Sequence, residues 1–116
     1  MKGNRSRYVP DLLRGSTDTL LLFLIHERYT YGYQLIKEVE RRSEGYFRFK
    51  EGTVYPALHR LENEGLVQGE WQDLPSGQVR RCYRVTEKGE HALREKMTAW
   101  QEFTSAVNLV FKPAEV

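Results

Sequence analysis

Gly52-Thr53-Val54-Tyr55-Pro56-Ala57-Leu58-His59-Arg60-Leu61-Glu62-Asn63-Glu64-Gly65-Leu66 is the stretch that decides the fold. Val54, Leu58 and Leu61 stand at i, i+4 and i+7, which places three apolar side chains on one face of a helix. Pro56 requires that the helix has only just begun, because a missing N–H is tolerated in the first turn. Gly65 ends the helix by taking a left-handed conformation. The opposite face carries Thr53, Tyr55, Pro56, His59 and Arg60, groups that can bond phosphates or base edges, and no carboxylate. The stretch reads as a helix that enters a DNA major groove. Tyr55 has an alternative place in the core, and His59 an alternative as a solvated surface residue.

The flanking segments fit that reading. Downstream, Leu66–Gln72 reads as a strand, Asp73–Gln78 as a turn punctuated by Pro75 and Gly77, and Val79–Val85 as the returning strand. The returning strand holds Arg80, Arg81 and Arg84 and no acid, so the hairpin has a basic edge. Trp71 is expected to pack under the hairpin. Upstream, Ser16–Thr17–Asp18 offers cap residues for a helix to about His26 that is apolar all round over Leu20–Ile25. Part of such a helix is expected to lie under a second subunit. Tyr31–Gly32–Tyr33 opens the next helix, which runs to about Arg42–Ser43, and Tyr46–Phe49 alternates as a very short strand. His26 reads as a helix-terminal histidine rather than a metal ligand.

Thr86 caps the last helix, with Glu87 and Glu90 in its first turn. Leu93, Met97, Trp100, Thr104, Val107 and Phe111 alternate spacings of four and three, a coiled-coil seam widened by Phe103 and Val110. A stripe of that length needs a partner, and the same helix of a second copy is the expected one. Facing Trp100 indoles would make a slot for a flat aromatic effector by stacking. The other reading makes Trp100, Met97 and Phe103 plain fillers of the dimer core.

Composition sets the bounds. At 116 residues and 40% apolar content the chain makes one domain, or one small domain plus a helical appendage, with a modest core. The net charge of +2 implies no partner by itself. Its distribution does, because the N-terminus and the hairpin are basic while acids gather in 38–44 and after Thr86. A lone cysteine, Cys82, cannot form an internal disulfide and fits a reducing, cytoplasmic setting. No run is long enough to span a bilayer, and no apolar stretch follows the basic start closely enough for a signal peptide. The local sequence suggests no nucleophile–base pair or phosphate-cradling glycine loop, and the histidines lack metal-ligand spacing. The expectation is therefore not an enzyme, with no metal or other cofactor and no membrane partner.

Helix, helix, helix, basic hairpin, helix is the order of a winged helix-turn-helix domain. The expected fold class is mainly α with a small β-hairpin. Residues 1–14 form an arm or short helix, residues 15–86 the winged domain and residues 87–112 a C-terminal dimerisation helix. Tyr31–Ile36, Gly52–Glu62, Gly65–Leu66 and Arg81–Gly89 resemble the PadR family of bacterial transcriptional regulators, in its short-tailed branch, over roughly Leu13 to Phe111. Val54 departs from the leucine usual there. The resemblance implies a homodimeric repressor on a pseudo-palindromic operator in double-stranded DNA, often released by a small molecule. It implies DNA contacts by Thr53, Tyr55, Pro56, His59 and Arg60 on the reading helix and by Lys50 before it. It adds Tyr31 and Tyr33 at the preceding helix, and Gly77, Gln78 and Arg80 at the wing. The competing reading is a protein-interaction adaptor that uses the same fold without DNA.

Overall fold

The computed structural model describes residues 15–114, and the arm expected over residues 1–14 lies outside them. Among the described residues, four helices, α1 (Thr17–Glu27), α2 (Gly32–Arg42), α3 (Glu51–Asn63) and α4 (Glu87–Phe111), accompany three strands, β1 (Thr30–Tyr31), β2 (Val67–Asp73) and β3 (Val79–Val85). The sheet is antiparallel in the order β1-β3-β2, with Tyr31 opposite Cys82 and Trp71 opposite Arg81.

The core follows from the apolar spacing. Leu21, Leu22 and Ile25 of α1, Leu35 and Val39 of α2, and Val54, Ala57, Leu58 and Leu61 of α3 are buried together with Tyr83 of β3. Such burial contributes roughly 1.5–3 kcal/mol for each large aliphatic side chain, which outweighs local propensity in fixing the helix faces. Arg42 joins α1 to α2 by bonding Glu27 at 2.6 Å and Glu38 at 2.8 Å.

The end of α3 is built from backbone chemistry. Gly65 has φ +76°, donates to the Glu62 carbonyl, and lets Leu66 N–H reach the Leu61 carbonyl at 2.9 Å. These are the two bonds of a Schellman stop. The start of α4 is fastened to the same corner. Thr86 Oγ1 accepts from the Gly89 N–H at 3.0 Å and donates to the Gly65 carbonyl at 2.6 Å. Lys88 Nζ donates to the Glu64 carbonyl at 2.9 Å. Gly89 lies so close to the residue before β2 that a Cβ there would fall 2.0 Å from the Leu66 carbonyl oxygen.

Several local expectations are corrected. Tyr46–Phe49 is not a strand: β3 has β1 and β2 on its two sides, and the segment spends its aromatics on packing. Phe49 is buried, Phe47 half-buried, and their ring centroids are 5.9 Å apart. The strand that completes the sheet is Thr30–Tyr31, unforeseen from the sequence, although Tyr31 also stands at the N-cap of α2 as expected. Pro56 sits in the second turn, because Thr53 and Val54 already bond the Lys50 carbonyl and start α3 earlier. The carbonyl that loses its helical donor is that of Gly52, an exposed residue, so water can replace the missing N–H. Trp71 does not pack under the wing: it is 68% exposed, with the Arg81 guanidinium 5.1 Å from its ring. Leu93, assigned by its spacing to an intersubunit seam, is 3% exposed and belongs to the core of its own chain. The opening turns of α4 rest on α1, so the free part of the stripe begins further along.

Candidate nucleic-acid interface

Burial of Val54, Ala57, Leu58 and Leu61 turns the other side of α3 outward. At 3.6 residues per turn, Thr53, Pro56 and Arg60 form one outer row and Tyr55 and His59 the next. All five are exposed, as is Lys50 at the N-cap position. The alternative that places Tyr55 in the core does not hold for the whole side chain: it is 45% exposed. Its ring does lie against the first residue of α2, where a Cβ on Gly32 would come within 2.8 Å of it. That contact sets how closely α2 and α3 approach.

Tyr31 and Arg80 are brought together by the pairing of β1 with β3. The Arg80 guanidinium carbon stands 3.9 Å from the Tyr31 ring centroid, a stacked cation–π pair. Arg80 Nε is buried and has no hydrogen-bond partner among the described residues. Tyr33 is exposed beside Lys37, whose Nζ is 5.3 Å from its ring. Gly77 and Gln78 lie at the wing turn, closed by Leu74 N–H to the Gln78 carbonyl at 2.8 Å.

The basic edge of the wing is smaller than the sequence implies. Arg81 is ion-paired with Glu62 of α3, and Arg84 with Glu70 across the hairpin. Both guanidiniums are held more firmly protonated by the carboxylate hydrogen bonds. Arg84 also lies 4.7 Å from the Tyr29 ring. These two arginines tie the wing to the domain, which leaves Arg80 as the wing arginine without a carboxylate partner among the described residues. Arg60 is held as well: its Nε and Nη2 donate to Asp18 of α1 at 3.2 and 2.8 Å. Asp18 is the site feature that the sequence reading missed. It stands 42 residues from Arg60, and no periodicity links the two.

The second feature is a mostly apolar groove of about 810 Å³ between α1 and α4. Leu20 and Phe23 line one side and Met97, Trp100 and Phe103 the other, with Tyr46 and Phe47 at one end. Trp100 and Phe103 stack within the chain, their ring centroids 6.0 Å apart. Thr104, the polar lapse in the stripe, sends its hydroxyl back to the Trp100 and Gln101 carbonyls, so it needs no partner to satisfy it. Val107 is half-buried, while Leu109, Val110 and Phe111 are fully presented to solvent. Cys82 is buried with its thiol 3.2 Å from Gln72 Oε1, which suits a structural role. His26 Nδ1 meets Glu90 at 2.9 Å. Among the described residues no three His, Cys, Asp or Glu side chains gather as a metal site, and no helix is long and apolar enough to cross a membrane.

Three stacked helices, an antiparallel wing and a projecting tail helix define a winged helix-turn-helix protein. The profile of the Transcriptional regulator PadR-like family matches residues 21–95, and the chain belongs to that family. A transcriptional regulator of Mycobacterium tuberculosis is 37% identical over 89 residues, covering 74% of this chain and 79% of that one. An uncharacterized protein of Lysinibacillus sphaericus is 32% identical over 105 residues, covering 90% of this chain and 96% of its own length. Among solved structures, a PadR family transcriptional regulator from Eggerthella lenta superposes with a TM-score of 0.83 at 30% identity, covering 97% of this chain and 96% of that one. A transcriptional regulator from Clostridium thermocellum gives a TM-score of 0.81 at 29% identity, over 88% and 99% of the two chains. The protein is thus a transcriptional regulator of the PadR type, a class that acts on DNA and is not enzymatic.

Proposed function

We propose that the protein is a homodimeric repressor that binds a pseudo-palindromic operator in the cytoplasm and is released by a flat aromatic molecule. The observation that carries the DNA reading is the exposed outer row of α3, together with a wing arginine, Arg80, that lies over the Tyr31 ring and has no carboxylate partner among the described residues. Thr53, Tyr55, Pro56, His59 and Arg60 would face the major groove from α3, as the second helix of a helix-turn-helix does. Lys50, Tyr31 and Tyr33 would meet the backbone, and Gly77, Gln78 and Arg80 would follow the wing along it.

Dimerisation is supported by the free end of α4. Phe103 is 61% and Phe111 76% exposed, on a stripe that a soluble helix does not leave uncovered without reason. Met97, Trp100, Phe103, Thr104, Val107 and Phe111 would form the interface, with Trp100 at the mouth of the groove. The effector reading rests on that groove, because an apolar cleft lined by aromatic side chains suits a planar apolar compound.

Selection of bound fragments from sheared genomic DNA by the purified protein tests the reading. A recovered motif with two-fold symmetry supports it, and binding to that motif should weaken steeply with salt as counterions are released. Recovery of no sequence above background would remove the repressor reading and leave an adaptor.

A further inference from the structure

We infer that Asp18 is a specificity-positioning residue for DNA reading, acting through Arg60, an inference that rests on α3 being the helix that meets DNA. The pair joins α1 to the outer row of α3 with bidentate geometry: Arg60 Nε to Asp18 Oδ2 at 3.2 Å and Nη2 to Oδ1 at 2.8 Å. Asp18 is the more enclosed partner, its side chain 22% exposed against 55% for Arg60. The carboxylate is therefore set by the fold, and the arginine is the member that reaches outward.

A guanidinium carries its N–H donors in a rigid planar fork. Asp18 occupies the edge formed by Nε and Nη2. The edge formed by Nη1 and Nη2 has no hydrogen-bond partner among the described residues, and such an edge matches the O6 and N7 acceptors of guanine in the major groove. Holding one edge fixes the plane and direction of the other. The side chain then gives up its rotamer freedom on folding and not on binding, so a correctly placed base meets a donor already aimed at it.

The carboxylate has a second consequence. An unpaired arginine on a reading helix is drawn to any phosphate of any sequence, which adds affinity without discrimination. Asp18 cancels much of that pull and repels misplaced phosphates, while it leaves the hydrogen-bonding edge intact. The pair thus trades non-specific attraction for discrimination, in the manner of a repulsive element built against wrong partners.

The test uses the full-length protein and two duplexes of equal length: one carrying the motif selected by the wild-type protein, and one with that motif scrambled. The readout is the ratio of the two affinities. Asp18→Asn, which keeps the shape and removes the charge, should lower the ratio about tenfold by losing one oriented bidentate contact, with affinity for the scrambled duplex unchanged or higher. Arg60→Lys, which leaves α1 untouched, should lower the ratio similarly because an ammonium cannot hold both oxygens of a carboxylate in a plane. In an Arg60→Ala background, Asp18→Asn should change the ratio by less than about twofold, since the two residues act as one unit. If Asp18 served only the dipole of α1, Asp18→Asn would lower the melting temperature and leave the ratio unchanged; that result overturns the inference. So would an equal effect of Asp18→Asn with and without Arg60. A wild-type protein that selects no motif would instead fell the DNA-binding reading itself, and a selected motif with an unaltered ratio in Asp18→Asn would fell this inference alone.

Discussion

Arg80 shows how much of the interface depends on a neighbour. Its guanidinium carbon lies 3.9 Å from the Tyr31 ring centroid, and its Nε is buried with no acceptor among the described residues. Arg80→Ala should weaken binding to operator and scrambled duplex by a similar factor, with the salt slope reduced by about one phosphate contact. Filter binding across a salt series checks this; an unchanged slope would place Arg80 off the DNA. Glu38 makes a different prediction. Hydrogen bonds from Arg41 first and Arg42 second hold its carboxyl at about 2, well below its ordinary 4.5. A folded value below the unfolded one means that the contribution is fully present above pH 4.5 and is lost as pH falls toward 2. Glu38→Gln should therefore flatten the fall in melting temperature across that acid window relative to wild type. Equal curves would mean that the exposed clamp adds nothing measurable, as many surface ion pairs do.

At the scale of elements, the corner between α3 and α4 is the joint on which the architecture turns. Gly65 must adopt φ +76°, and Gly89 must leave room for the Leu66 carbonyl. Gly65→Ala should cost about 1–2 kcal/mol through left-handed strain alone. Gly89→Ala should cost more, because backbone and not a flexible side chain stands 2.0 Å from the added carbon. Urea unfolding of the two variants ranks them; a Gly89→Ala protein as stable as wild type would show that the joint yields.

The same corner explains what could be read from sequence. Gly65, the cap at Thr86 and the apolar spacing of α3 are local signals, and each has its expected structure. The short strand β1 is legible only through its partner β3: a Thr30–Tyr31 pair carries no period. The ion pairs were likewise hidden. Arg81 and Arg84 read as free charge in a list of residues, yet Glu70 reaches Arg84 once the two strands of the hairpin pair, and Glu62 reaches Arg81 once the hairpin has folded over α3. Leu93 and Met97 fall on the same seven-residue pattern as Trp100 and Phe111, and the pattern cannot tell which turns lie over the domain and which extend past it.

For the whole molecule, the outer half of α4 decides the assembly. Phe103→Glu should convert the proposed dimer to monomer in sedimentation velocity, with near-native melting of the winged domain, because Phe103 is exposed within one protomer. Operator affinity should fall with it, since half-sites would then be bound singly. Trp100→Ala should alter the response to a flat aromatic compound more than operator affinity. If the dimer merely loosens, Trp100 is a filler of the interface.

The fastening of Gly89 and Thr86 onto Leu66 and Gly65 gives α4 the mechanics of a lever clamped at one end. Over roughly 21 Å of free helix beyond Met97, a swing of about ten degrees carries the far tip by roughly 4 Å. That displacement exceeds the rise of about 3.4 Å between successive bases along a strand. In a symmetric pair joined at the tips, a small pivot beside the wing is thus enough to throw the two reading heads out of step with the turn of the duplex.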